Sequence, residues 1–64
     1  MGRKVVGGFV FVSYAGDHPP LHVHISDTRG RPIGRWDIEG QRPMDSFTLT
    51  RRLESALRTA GYLR

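Results

Sequence analysis

The stretch Leu21-His22-Val23-His24-Ile25-Ser26-Asp27-Thr28-Arg29-Gly30-Arg31-Pro32-Ile33-Gly34-Arg35-Trp36-Asp37-Ile38-Glu39 decides how this 64-residue chain folds. Both of its halves alternate apolar with polar residues, and successive side chains of an extended strand point to opposite faces. Residues 21–27 therefore read as one strand and residues 33–39 as another, joined by a turn over residues 28–32. A two-residue turn at Arg29-Gly30 sets Leu21 against Ile38, Val23 against Trp36 and Ile25 against Gly34. In the same register His22 faces Asp37 and His24 faces Arg35. Apolar side chains then share one face and polar ones the other, whereas a slip of one residue would invert one strand.

Working outward, residues 5–14 are rich in valine and phenylalanine and read as a first strand. That run is apolar on both faces, with Val5, Phe9 and Phe11 on one and Val6, Val10, Val12 and Tyr14 on the other, as suits a covered strand. Gly7-Gly8 reads as a bulge or a close backbone approach. Residues 15–20 form a loop stiffened by Pro19-Pro20, and residues 40–47 a polar loop. Beyond it Leu49, Leu53, Ala56, Leu57 and Ala60 recur at helical spacing. Thr48 is the expected N-cap, Glu54 and Arg58 an i,i+4 pair, and Gly61 the residue just past the helix end. The expected fold is one small α+β domain over residues 1–64: a three-stranded antiparallel sheet (β-β-β-α) with the C-terminal helix on one face. That helix should lie over Leu21, Val23, Ile25, Trp36 and Ile38.

A domain of this size buries only about 60% of its unfolded surface. With no cysteine, neither a disulfide framework nor a cysteine metal site can staple it. Stability has to come from the core, a bound metal or a second chain. The formal charge is +4, and nine of the ten basic residues are arginine, whose planar fork suits phosphate, carboxylate and aromatic partners. Arg51, Arg52 and Arg58 read first as the solvated outer face of the helix. Arg3 and Lys4 before an apolar run mimic a signal peptide, but no small-residue cleavage site follows. Nothing approaches the ~20 apolar residues of a membrane span. The expectation is a cytoplasmic protein with no membrane partner.

All three histidines fall between positions 18 and 24. If Tyr14 lies beside Leu21, the sheet face away from the helix carries Phe9, Phe11 and Ser13 with His22, His24, Ser26, Arg35, Asp37 and Glu39. With the opposite parity it carries Val10 and Val12 instead. Either way a partly apolar face is left uncovered, and such patches on small domains mark partners. A homodimer is the first expectation, and a small partner protein the next. Phe9, Phe11, His22, His24 and Arg35 also form a candidate nucleic-acid surface, for RNA more than DNA, because bases stack on aromatic and guanidinium planes.

Two chemical readings compete with the interface. His18, His22 and His24 are candidate ligands for a divalent metal such as zinc, with Asp17 and Asp37 as further ligands or supports. A His-x-His pair is weak on its own, since it arises by chance in strands. Alternatively His22 or His24 acts as general acid/base on a phosphodiester, with Asp37 orienting the ring and Arg35 stabilising developing charge. Against both stands a structural role, with His18 bonding loop backbone and His22 pairing with Asp37. Whether the chain is an enzyme is left open.

The segment Gly16-Asp17-His18-Pro19-Pro20-Leu21-His22-Val23-His24-Ile25 resembles the signature of a family of short bacterial proteins catalogued as domain of unknown function 4160. Members show an aromatic-rich first strand, an acidic-His-Pro-Pro-Pro-His-aromatic/Val-His-Val segment, a third strand and a C-terminal helix. The resemblance covers roughly residues 9–60, and Leu21 stands where the family usually has a third proline. The family has no established activity. Its genes often neighbour those of another small family, which implies toxin–antitoxin-like or regulatory pairs acting through protein or RNA contacts. His18, His22 and His24 carry over only as matching signature positions.

Overall fold

Gly7 and Gly8 turn the first apolar run back on itself. In the computed structural model, which describes residues 2–14, 16 and 18–64, they carry φ of +59° and +85°. Two successive positive φ values are what a type I′ hairpin turn requires, and glycine adopts them without a steric penalty. The chain therefore forms β1 (Gly2–Val6) and β2 (Phe9–Ser13), then β3 (His22–Asp27), β4 (Pro32–Asp37), β5 (Arg42–Pro43) and α1 (Arg51–Ala60). These strands make one antiparallel sheet in the order β1-β2-β3-β4-β5.

The expected three-stranded sheet is thus corrected to five strands. The single strand over residues 5–14 is two strands and a hairpin, and β1 extends upstream through Arg3 and Lys4. A short β5 pairs Arg42 with Asp37 and Pro43 with Trp36 at the far edge, where proline's missing donor costs no ladder bond.

The central hairpin keeps the expected register, with His22 opposite Asp37, Val23 opposite Trp36, His24 opposite Arg35 and Ile25 opposite Gly34. Its turn differs. Asp27 N–H donates to Arg31 O at 3.0 Å and Gly30 N–H to Asp27 O at 3.1 Å, so the loop holds three residues, not two. The extra residue is returned at Ile33, a bulge between the pairs Ser26–Pro32 and Ile25–Gly34. Bulging turns Ile33 onto the core.

The helix covers one sheet face. Leu53, Ala56, Leu57 and Ala60 bury against Phe11, Val23, Ile25 and Trp36, with Val6, Phe9, Ile33, Ile38, Phe47, Leu49, Tyr62 and Leu63 packed around them. Its N-cap is Thr50, not Thr48: the Thr50 hydroxyl accepts from Leu53 N–H at 3.2 Å, while Thr48 lies ahead of the helix with its carbonyl on Thr50 N–H at 3.1 Å. Replacing Thr50 with alanine should therefore cost about 1 kcal/mol, and Thr48→Ala close to nothing, as read by thermal melts. At the other end Gly61 has φ of +91°, its N–H reaches Arg58 O, and Tyr62 N–H reaches Leu57 O at 2.9 Å. Lys4 Nζ, from the edge strand, donates to Ala60 O at 2.7 Å and lies over the Tyr62 ring. Leu21 is not under the helix as expected. It stands outside β3 with its N–H on Glu39 Oε1 and its carbonyl on Ile38 N–H, and its side chain is 58% exposed.

Candidate functional site: the histidine face

The pairing of β2 with β3 settles which residues accompany the histidines. Phe11 lies opposite Ile25, and Val12 opposite His24. Partners across an antiparallel pair share a face, so Phe11 belongs with the core, where it is fully buried and meets Tyr62 edge-on at 5.7 Å. Phe9 likewise packs at the core margin. The expected placement of Phe9 and Phe11 beside the histidines is therefore corrected. A run apolar on both sides carries no parity signal, and the small helix stripe needs the phenylalanine rings to complete its core.

The face away from the helix carries rows that run across the strands. One row is Val5, Val10, Ser26 and Pro32; the next is Arg3, Val12, His24 and Arg35; the third brings His22 beside Asp37 and Arg42. Tyr14 continues β2 onto this face: its ring meets His24 edge-on at 5.0 Å, and His24 meets His22 at 5.0 Å. Tyr14, His24 and His22 thus form a ladder of rings in the tilted geometry that aromatic quadrupoles prefer.

Three of the candidate catalytic groups, His22, Asp37 and Arg35, are held by bonds within the chain, and His24 stands in the ring ladder. His22 is 6% exposed, and its Nδ1 lies 2.7 Å from Pro20 O, beside the cis Pro19–Pro20 bond. A carbonyl only accepts, so Nδ1 carries the proton. Asp37, also buried, accepts from Gly40 N–H at 2.8 Å and sits 3.9 Å from Arg42 Nε. Its carboxylate organises the turn into β5. Arg35 is bound bidentately by Asp45, Nη2 to Oδ1 at 2.9 Å and Nε to Oδ2 at 3.1 Å, with its backbone N–H on the same carboxylate at 2.8 Å. The Arg35 guanidinium, helped by that backbone N–H and by His24, holds the Asp45 carboxyl below its ordinary range. Asp45 is a residue that sequence reasoning missed: it stands in a polar loop with no periodicity to mark it.

Two shallow clefts flank the ring ladder. One, of about 340 Å³, lies among Val12, Tyr14, His24, Ser26, Arg35 and Asp45. The other, of about 350 Å³, lies among Tyr14, His18, Pro19, Leu21, His22 and Glu39. His18 and His24 thus line different clefts. Among the described residues no three His, Cys, Asp or Glu side chains converge as metal ligands, so His18, His22 and His24 are not assembled into a donor set. Asp17, the further candidate ligand, lies outside the described residues. No helix among the described residues is long and apolar enough to cross a membrane. Comparison of the chain with family models, curated proteins and solved structures finds no match.

Proposed function

We propose that this chain is the binding module of a regulatory, toxin–antitoxin-like pair, and that its histidine face is the surface that meets a protein, either a second copy or a small partner. One observation carries the reading. The helix stripe is spent on the opposite face, yet Val5 and Tyr14 are each 53% exposed on this face and Leu21 is 58% exposed at its rim. On a small domain, large apolar side chains left exposed on the face that the core does not use are the mark of an interface. Two of the face's three arginines are paired, Arg35 with Asp45 and Arg42 beside Asp37, and the third, Arg3, stands on the edge strand, so the face lacks the continuous basic stripe that a polyanion takes. A histidine-dependent phosphodiesterase is the weaker reading, because His22, Asp37 and Arg35 are each engaged in internal bonds. The resemblance of the histidine segment to the family of paired bacterial proteins supports the same choice.

The test is the mass in solution, by light scattering, of the chain alone and of the chain co-expressed with the product of the adjacent gene. Val12→Glu is the informative variant, since Val12 is central to the face and the new carboxylate would lie opposite Arg3 on β1. Association that weakens roughly tenfold or more in this variant, with an unchanged circular dichroism spectrum, is the expected result. A wild-type chain that stays monomeric and partnerless, or an assembly indifferent to Val12→Glu, contradicts the proposal.

A further inference from the structure

At the end of the sheet that bears the β1–β2 and β3–β4 turns, a groove opens between the sheet and the start of α1. Its floor is Phe9, Ile33 and Leu53, and Thr48, Arg51 and Arg52 stand along its rim. Its volume is about 560 Å³, the largest of the surface clefts described here. The same end of the molecule collects positive charge from two separate elements: Arg29 and Arg31 from the β3–β4 turn, Arg51 and Arg52 from the helix.

The carboxylates nearby are already engaged. Asp27 is held by Arg31 at 3.0 Å and accepts the backbone N–H groups of Arg29 and Arg31, the latter foremost in keeping its carboxyl below the ordinary range. Glu54 points along the helix to Arg58 at 3.6 Å. Neither Arg29 nor Arg51 meets a carboxylate among the described residues. Arg52 donates to Gly7 O at 3.2 Å and lies over the Phe9 ring at 5.6 Å, which fixes one wall of the groove.

We infer that this groove docks a short acidic segment of a partner protein, seating one apolar side chain on Phe9, Ile33 and Leu53 while flanking Asp or Glu carboxylates meet Arg51 and Arg52. Charge complementarity names the occupant: an apolar floor selects an apolar anchor, and an unneutralised arginine rim selects anionic neighbours. A nucleic-acid strand fits less well, because Phe9 is the one ring in the groove's lining and the rest of the floor is aliphatic, which leaves no row of platforms for successive bases. The site is separate from the histidine face and does not rest on the reading of that face.

The test is a selection of random short peptides on the immobilised wild-type chain. It is followed by affinity measurements on wild type and Arg51→Glu and by amide chemical-shift mapping with the enriched peptide and with oligouridylate. Arg51 is solvent-exposed at the helix start, so its reversal leaves the fold intact. Enriched peptides should pair Leu, Ile or Phe with Asp or Glu, and should bind Arg51→Glu about tenfold more weakly. Their shifts should centre on Ile33, Thr48, Arg51 and Leu53. The inference is overturned by a selection that enriches nothing or enriches peptides without acidic residues. It is equally overturned by affinity unchanged in Arg51→Glu, by shifts centred on Tyr14 and His24, or by oligouridylate occupying the groove in place of the peptide.

Discussion

Replacing Trp36 with alanine should leave this chain largely unfolded at ordinary temperatures. Trp36 is 1% exposed at the centre of β4, where its indole forms the floor beneath α1 and its Nε1 donates to Tyr62 O at 3.0 Å. Truncating a buried tryptophan costs about 3–5 kcal/mol through lost burial and the cavity left behind. At about 0.05–0.15 kcal/mol per residue, a domain of this length holds only roughly 3–10 kcal/mol in total. The expected result is a melting temperature lower by roughly 12–40 °C, or no cooperative transition at all. Trp36→Phe separates packing from the hydrogen bond. It keeps most of the ring, and Tyr62 O retains the bond from Gln41 Nε2 at 3.0 Å. That variant should lose only about 1–2 kcal/mol. Equal melting of Trp36→Ala and wild type would mean that the indole is not the centre of the core.

Gly34→Ala should have the next largest effect. A Cβ built on Gly34 runs into the Phe47 ring, coming within 2.7 Å of Cε2 and closer still to Cδ2. Phe47 reaches this position from the segment between the sheet and the helix, where its ring packs against the core. Overpacking of this kind costs about 1–3 kcal/mol. The mechanism is checked by a double-mutant cycle with Phe47→Ala, read by chemical denaturation. If the clash is the cause, the double variant is less destabilised than the sum of the singles, by about 1 kcal/mol or more. Additive effects would place the penalty in the backbone of β4 and not in the ring.

What was legible in the sequence follows from where the pattern carried information. Alternation in residues 21–27 and 33–39 was enough to pair His22 with Asp37 and Val23 with Trp36, because each half had a polar and an apolar side. The three-residue turn and the Ile33 bulge left that register intact because one residue gained in the loop was returned in the strand. Helical spacing located Leu53, Ala56, Leu57 and Ala60, and a glycine at the αL position located the helix end. The first run hides its structure because valine and phenylalanine on both sides leave parity undetermined, and because a Gly-Gly pair suits a bulge as well as the hairpin turn it forms here. Thr48 and Thr50 are chemically equivalent caps. The choice rests on which residue precedes the first helical turn, and no local rule separates them. Asp45, the partner of Arg35, is brought in from ten residues away by the fold alone.

These corrections change the character of the histidine face. With Phe9 and Phe11 removed to the core side, the face sets Val5, Val10 and Val12 beside a ladder of Tyr14, His24 and His22, and among its charged groups Arg35 and Asp37 are internally bonded. A surface of that composition suits a protein contact more than phosphate binding or proton transfer.

The most direct measurement is a hydrogen-exchange footprint of the associated form, homodimeric or partnered, against the Val12→Glu monomer. Association through the histidine face predicts slowed exchange at residues 12–14, at His24 and at Arg35, with the outer face of α1 around Arg51 and Arg58 unchanged. Protection confined to α1 or to the β3–β4 turn, with residues 12–14 exchanging as fast as in the monomer, would contradict it.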